Sequence, residues 1–359
     1  MDTTDPDIAF DENGVCNHCR QYDALAKRYL FAPDEGKQKL DLLVKTIKEK
    51  GAGKEYDCVI GVSGGVDSTY LAYVVKELGL RPLAVHLDNG WNSELAVHNI
   101  EKVLNTLGID LSTYVIDWEE FRDLQLSFLK ASTPDGEVPS DHAIVAVLYE
   151  VANRIGCKYI ILGTNVMTES VLPLKWAYGH ADYTYIKKVH ARFGSRKLKT
   201  YPHYGLLKLF YSRFIRGIKL VPILNYLPYN KKEAMELLQN KLGWVYYGGK
   251  HYESIYTRFY QAFILPKKFN IDKRKAHLSS LIDSGQLSRE QALEELRLDT
   301  APPDKLKDDR YYVIKKLGIT ENEFDELMNL PVKTFFVYPN RYAFTKLIEK
   351  IFRLLGVGR

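Results

Sequence analysis

One stretch constrains this chain more than any other: Asp57-Cys58-Val59-Ile60-Gly61-Val62-Ser63-Gly64-Gly65-Val66-Asp67-Ser68. An apolar run leads into a glycine-rich turn. A helical pattern follows from about Thr69 to Leu78, and Gly79 stops it. Strand, glycine turn and helix in that order make a site for phosphate. The paired glycines let the backbone approach an anion, and the amides and dipole at the helix start face it with partial positive charge. No Gly-Lys-Ser/Thr follows four spacer residues, so this is not the common P-loop. No Gly-x-Gly-x-x-Gly is present, so the dinucleotide fingerprint is absent too.

Ser63-Gly64-Gly65-Val66-Asp67-Ser68 resembles the S-G-G-x-D-S loop of the PP-loop ATP pyrophosphatases. Those enzymes split ATP between the α- and β-phosphates, hold the departing pyrophosphate in this loop and adenylylate their substrate. The resemblance implies ATP and Mg²⁺, with Val62, Ser63, Gly64, Gly65, Val66, Asp67 and Ser68 around the phosphates. The hydroxyls of Ser63 and Ser68 suit a pyrophosphate. Asp67 suits Mg²⁺, which prefers carboxylate and phosphate oxygens. The bland alternative is a tight strand-to-helix turn with no ligand.

At 359 residues the chain can bury a large core and probable domain counts centre on two. Hydrophobic content of 46% and charged content of 26% are ordinary for a soluble globular protein. The net charge of +5 favours anionic ligands weakly and does not call for nucleic acid. No apolar run approaches the ~20 residues that span a bilayer. The acidic, polar start does not read as a signal peptide. Four cysteines in a chain of this length are no disulfide framework, which points to a reduced, cytoplasmic protein. The 25 tyrosines suit a polar cleft or an interface.

Along the chain, Cys16-Asn17-His18-Cys19 carries a Cys-x-x-Cys, half of a zinc site, and no second pair exists. Cys58 and Cys157 read as small buried hydrophobes. Residues 21–50 read as helical with a break at Ala32-Pro33. From Tyr56 apolar strands near 56–62, 82–87, 111–116 and 158–163 alternate with helices at 68–78, 92–107 and 141–155. This order implies an α/β fold, a parallel sheet with helices on both faces. Ligands in such sheets bind at the carboxyl ends of the strands. Leu87, Asp88 and Asn89 end the second strand, and the superfamily resemblance assigns them to the nucleotide; the alternative is a simple turn. Gly163, Thr164 and Asn165 end the fourth. In the loop 134–142, Ser140 or Asp141 is a candidate N-cap. Asp141 and His142 then lie near the sheet top, as substrate-side candidates.

Several further segments make the resemblance more specific. They are Asp11 to Cys19, Gly163-Thr164-Asn165, Thr168-Glu169-Ser170-Val171-Leu172-Pro173, Trp176-Ala177-Tyr178, Asp182 to His190, Gly248 to Ser254, Thr257-Arg258-Phe259 and Asp272 to Leu281. In succession they look like the N-acetyl sugar amidotransferases, over nearly the whole chain. That resemblance implies conversion of a sugar acetamido group to an acetamidino group in bacterial surface-glycan (O-antigen-like lipopolysaccharide) synthesis. ATP adenylylates the amide oxygen and ammonia displaces AMP. It implies Glu169, Ser170, Trp176, Tyr178 and Asp182 on the sugar side, and Lys250 and Arg258 clamping phosphates; the alternatives are Glu169 as a helix-start charge, Trp176 as core, and Lys250 and Arg258 as surface cations on a helix. It also implies a separate glutaminase like that of the histidine pathway, with a cyclase-like subunit. The family carries another Cys-x-x-Cys just before the segment matching Met1-Asp2-Thr3. This sequence starts at Met1, so only the Cys16 and Cys19 half of a four-cysteine zinc site is implied here.

From about Asn225 the texture changes to helices: Lys231 to Lys241, then near 251–263, 272–284, 288–296, 304–317 and 320–328, with Ser288-Arg289-Glu290-Gln291 as a capping box. Lys346 to Leu355 reads as a basic amphipathic tail. The expected organisation is an N-terminal arm at 1–50, a PP-loop domain at 51–225 and a helical domain at 226–359. Two rival functions are a tRNA thiolase of the same superfamily, which needs cysteines near the sheet top, and a non-catalytic adenine-nucleotide-binding module.

Overall fold

The computed structural model describes residues 1–347. In chain order, α1 (Asn17–Tyr29) and α2 (Pro33–Lys50) precede β1 (Cys58–Gly61), α3 (Val66–Glu77), β2 (Pro82–Asp88), α4 (Glu94–Leu107) and β3 (Asp110–Val115). Then come α5 (Trp118–Ala131), α6 (Val138–Arg154), β4 (Tyr159–Leu162), the short α7 (Val166–Glu169), α8 (Tyr183–Phe193) and α9 (Leu206–Phe210), which continues as a π-helical turn over Tyr211–Ile215. After β5 (Lys219–Pro222) the described chain is helical: α10 (Lys231–Leu242), α11 (Ile255–Phe259) running into a π-helix at Tyr260–Phe269, α12 (Arg274–Asp283), α13 (Arg289–Arg297), α14 (Pro303–Leu317) and α15 (Glu321–Asn329). The expected parallel α/β sheet with a C-terminal helical region is what forms.

The sheet order is β3-β2-β1-β4-β5, every pair parallel. Alternate residues of β1 feed opposite cores. Cys58 and Ile60 join Leu71, Val75, Leu104 and Leu238 on one face, while Val59 joins Leu83, Phe121, Phe128 and Val147 on the other. The inner strands β1, β2 and β4, covered on both faces, read as apolar runs, while β3 and β5 are the partly exposed edges. Each fully buried Val, Leu or Ile contributes roughly 1.5–3 kcal/mol. From the central β1 the chain builds β2 and β3 on one side, then β4 and β5 on the other. The crevice at this reversal lies between the carboxyl ends of β1 and β4.

Two ties hold the C-terminal helices over the sheet top. Ser254 bridges Asn92 in antiparallel fashion, with Ser93 N–H donating to the Glu253 carbonyl (2.8 Å) and Ile255 N–H to that of Trp91 (2.8 Å). From α14, Lys316 donates to the Gly90 carbonyl and lays its ammonium 5.4 and 5.1 Å from the rings of Trp91 and Trp118. Helix α10 lies against α3 and α4 and so completes a face of the sheet.

Helix α6 starts earlier than expected. Its N-cap is Glu137, with Pro139 in the first turn and no side-chain cap bond, so neither Ser140 nor Asp141 caps it. The Ser288/Gln291 capping box forms. No helix of the described residues is long and apolar enough to cross a membrane. Most of the basic tail 346–355 lies outside the described residues.

Candidate active site

The loop after β1 has the shape its glycines allow. Gly64 sits at φ +81°, and a Cβ there would lie 2.7 Å from the Ala96 carbonyl oxygen. Ser63 N–H donates to Ser68 Oγ (3.2 Å), Gly65 N–H to Ser63 Oγ (3.3 Å), and the two serine hydroxyls are 3.1 Å apart. Gly163, after β4, presses against this loop; a Cβ there would stand 2.9 Å from the Asp67 carbonyl oxygen. Asn165 then caps α7 through the Thr168 amide (2.9 Å), and Thr164 is exposed.

The segment after α10 covers the loop. Trp244 Nε1–H donates to the Gly64 carbonyl (2.9 Å), and Val66 N–H, at the start of α3, donates to the Tyr247 hydroxyl (3.2 Å). That oxygen stands where the helix start would receive an anion's oxygen. His251 is held in the left-handed region at φ 63°, between Lys250 and Glu253, a conformation that costs a non-glycine residue energy.

Asp67 faces a charged cluster. Tyr229 Oη donates to Asp67 Oδ1. Lys231 Nζ donates to His277 Nε2 (3.2 Å), and Lys250 Nζ stands 3.3 Å from both His277 Nδ1 and Glu169 Oε1. His277 Nδ1 lies 3.3 Å from the Thr168 carbonyl, so the ring donates there and accepts from Lys231. Burial and then the charge of Glu169 push the Asp67 carboxyl above its ordinary value, while Lys231, Lys250 and Tyr229 pull it back. Against burial, Lys250 and His251 hold Glu169 below its ordinary value. Burial and the two lysines push His277 well down, so its ring is neutral. Asp67 and Glu169 supply the one or two carboxylates that Mg²⁺ takes beside phosphate oxygens, so the residues fit that ion. Tyr229, Lys231, Tyr247, Glu253 and His277 were not anticipated. Each sits in a helical or turn segment remote in sequence; the segments Gly248 to Ser254 and Asp272 to Leu281 carried the resemblance but gave Glu253 and His277 no role.

A second charged cluster lies at the start of α6. Lys273 pairs with Glu137 (2.8 Å), to which Gln261 also donates (2.9 Å). Burial pushes the Asp135 carboxyl up to about 6, Lys273 opposing and Glu137 adding to it. Asp141 is pushed up to about 8 by its enclosed surroundings and then by the charges of Glu137 and Asp135. Its side chain still meets water, which screens part of that repulsion. His251 acts electrostatically on both Glu137 and Glu169, which links the two clusters.

At the end of β2, Asp88 Oδ1 accepts from Gly90 N–H (2.9 Å), the turn arrangement, and Asn89 Nδ2 donates to Ser140 Oγ (3.0 Å) while Leu87 is buried. Asp88 also lines an open cleft of about 510 Å³ with His86, Asn92 and Leu111. His86 is fixed by Val62 and Asn92, at 2.9 and 3.0 Å.

Several expected roles are corrected. Arg258 is buried and forms a bidentate pair with Asp309 (2.6 and 2.7 Å), so its charge is spent inside the C-terminal helices rather than on phosphates. Trp176 is buried in the core and offers no ring face to a sugar. Tyr178 stacks on Phe335 at 4.0 Å and donates to Asp182 (2.8 Å). Asp182 caps α8 through the amides of Thr184 and Tyr185 and also accepts from Arg341 N–H. Ser170 is buried, and its Oγ has no partner among the described residues. His142 is fully buried; it contacts the His180 carbonyl through Nδ1 (2.8 Å), accepts from Tyr204 N–H at Nε2 (3.2 Å) and stacks on Tyr204 at 4.3 Å. Burial pushes it down to about 4, so it is a neutral packing residue.

The zinc expectation is not supported. The Cys16 and Cys19 sulfurs are 3.4 Å apart, but among the described residues no group of three or more His, Cys, Asp or Glu can hold a metal ion. Tetrahedral zinc needs four donors or three and a water. Burial and the Cys16 thiol push Cys19 up to about 12.

Residues 253–351 match the family described as LPS biosynthesis protein WbpG-like, C-terminal domain, and residues 36–194 match NAD synthase. An uncharacterised protein of Methanocaldococcus jannaschii is 24% identical over 279 residues, 75% of this chain and 81% of that one. A glutamine-hydrolysing GMP synthase of Aeropyrum pernix is 30% identical over 52% of this chain and 31% of its own length. A tRNA(Ile)-lysidine synthase of Chlamydia pneumoniae is 28% identical over 43% of this chain and 44% of its own. The chain thus spans under half the length of these two named enzymes. It is an ATP-using enzyme of the group that holds amidotransferases, synthetases and tRNA-modifying enzymes. The chain belongs to the PP-loop ATP pyrophosphatase superfamily, in its WbpG-like branch.

Proposed function

We propose that this enzyme is an ATP-dependent amidotransferase acting on an N-acetyl sugar. The amide oxygen of an acetamido group attacks the α-phosphate, the bond to the bridging oxygen breaks, and pyrophosphate leaves. Ammonia then adds to the activated carbon, the bond to AMP breaks, and an acetamidino sugar remains. Activation is needed because resonance makes an amide carbon a poor electrophile. The carrying observation is the set Asp67, Glu169, Lys231 and Lys250 beside the pyrophosphate loop, under a region matched to a lipopolysaccharide-synthesis protein. The two lysines and the α3 amides neutralise the departing pyrophosphate. Mg²⁺, when bound by Asp67 and Glu169, adds charge neutralisation at the phosphates. Asp141, which can change protonation near neutral pH, would take the proton released as ammonia adds. A separate glutaminase, accompanied by a cyclase-like subunit, would deliver the ammonia.

The test supplies ATP, Mg²⁺, an acetamido sugar and ammonium to the purified chain. AMP, pyrophosphate and a sugar whose mass reflects exchange of O for NH are expected. ADP and phosphate would overturn the reading, and nucleotide retained without any pyrophosphate release would indicate a binding module.

The match to a tRNA(Ile)-lysidine synthase favours a second reading, adenylylation of a tRNA base. Thiolation fits poorly. Cys58 and Cys157 lie at the amino ends of β1 and β4, away from the cleft, and burial pushes the Cys58 thiol well up and that of Cys157 to about 11. A nitrogen nucleophile needs no cysteine. Pyrophosphate release that depends on tRNA and ignores acetamido sugars would establish this second reading.

A further inference from the structure

Helix α9 and its π-helical turn, Leu206–Ile215, are built inside out. Amphipathic surface helices face their apolar stripe inward. Here Leu206, Leu207, Phe210, Tyr211, Phe214 and Ile215 are all exposed, Leu207 at 86% and Phe214 at 70%. Their spacing places them along one side of the helix, and the rings of Phe210 and Phe214 lie 4.9 Å apart. Polar contacts hold the opposite side to α6. Buried Ser212 accepts from Asn153 Nδ2 (2.9 Å), Arg213 Nε donates to the Tyr149 hydroxyl (3.0 Å), and Arg216 donates to the Asn153 carbonyl (3.2 Å). The apolar side is therefore outward by construction. A contiguous exposed patch of this kind marks an interaction surface.

Charge says what it meets. From Tyr183 to Lys232 the sequence holds twelve Lys and Arg and no Asp or Glu. Lys208, within the helix, and Lys219, just after it, are exposed. On the neighbouring surface, burial together with the charges of Arg216, Lys54 and Lys50 holds Lys158 below its ordinary value. A second copy docked through the same patch would oppose these cations to one another. A nucleic-acid backbone would meet the cations but leave the leucines, isoleucine and phenylalanine unused. A surface that is anionic at its face and apolar just beneath matches both features.

We propose that Leu206–Ile215 is an interfacial helix that seats this enzyme on an anionic lipid bilayer. Lying in the plane, its ten residues cover about 15 Å. The apolar stripe enters the acyl boundary while Lys208 and Lys219 remain among the headgroup phosphates. The enzyme then lies on the membrane surface; among the described residues no helix is long and apolar enough to cross it. This inference is independent of which acceptor the active site uses.

The experiment is sedimentation of the full chain with vesicles of phosphatidylcholine mixed with phosphatidylglycerol, and with phosphatidylcholine alone. The protein is expected to pellet with the anionic vesicles and to stay in solution with the neutral ones. Leu207→Asp/Phe214→Asp should lower the bound fraction by about tenfold at equal lipid, and Lys208→Glu/Lys219→Glu should weaken it most at low salt. Both variants should keep the parent melting temperature, because the altered side chains are exposed. Failure of the parent chain to pellet with anionic vesicles overturns the proposal, with no variant needed. So does pelleting that the aspartate pair leaves unchanged. A dimer in light scattering, or tRNA binding, that the aspartate pair abolishes while vesicles go unbound also overturns it.

Discussion

Asp67 and Arg258 show how a charge placed by sequence acquires opposite uses in the fold. Asp67 stands where Tyr229, Lys231, Lys250 and Glu169 converge, at the first turn of the phosphate-binding helix. Asp67→Asn keeps the shape and the bond from Tyr229 but removes the charge that a metal requires. Pyrophosphate release should fall by about 10²–10³ with the melting temperature held or raised, since a buried charge is gone. Full activity in this variant would remove Asp67 from the reaction. Arg258 instead closes a buried bidentate pair with Asp309. Arg258→Met leaves that carboxylate uncompensated and should cost about 3–5 kcal/mol in urea unfolding. Arg258→Met/Asp309→Leu should recover most of the loss, whereas a phosphate-clamping arginine would show its loss in KM for ATP with stability kept. From sequence, Lys250 and Arg258 looked alike. What separated them was Asp309, whose pairing with Arg258 depends on how α11 meets α14.

Among the elements, α6 and the loop before it carry two groups that titrate in opposite senses. His142, pushed down to about 4 from an ordinary 6.5, is neutral in the fold. The unfolded chain takes up that proton as pH falls below about 6.5, so stability is lost between pH 6.5 and 4, reaching roughly 3 kcal/mol. The imidazole resonances of His142 should stay in their neutral positions until about pH 4, and titration near 6.5 would show that its ring is free. Asp141, pushed up to about 8, keeps its proton in the fold where the unfolded chain has lost it. That contribution destabilises the fold as pH rises from about 4 to 8. Asp141→Asn should therefore gain on the parent in melting temperature across that window. It should also flatten the alkaline limb of ammonia-dependent activity. The strands at 58–61, 82–88 and 159–162 were legible because burial on both faces leaves apolar runs, whereas the edge strand at 110–115 is largely exposed and was legible from its Thr, Tyr and Val residues. Strand β5 was not: it is four residues long, begins on Lys219 and ends on Pro222. Helix α5 carries its own sequence signals, with Asp117 as its cap and Phe121, Leu124 and Phe128 at helical spacing. The π-helix at 260–269 follows from no local signal beyond Pro266 in its interior.

The whole molecule brings a phosphate-binding crevice and a C-terminal helical cover together without a cysteine in the cleft. A cysteine-based glutamine-hydrolysing site needs a thiolate with a basic partner in reach of solvent. Cys58 and Cys157 are buried with their thiols pushed up, and Cys16 and Cys19 lie in the N-terminal arm against α12. Under the proposed reaction the single chain must then take ammonia as ammonia. Assayed with ATP, Mg²⁺ and an acetamido sugar, it should form the amidine with ammonium salt and form none with glutamine. Because the nucleophile is the free base, turnover at fixed total ammonium should rise with pH below about 9 until stability intervenes. Adding a glutaminase subunit should confer glutamine dependence without raising the rate given by saturating ammonium. Glutamine-driven turnover by the purified chain alone, persisting after Cys16→Ser/Cys19→Ser, would mean that the nitrogen is released by a group other than these thiols, and the division of labour inferred from the cysteine environments would be wrong.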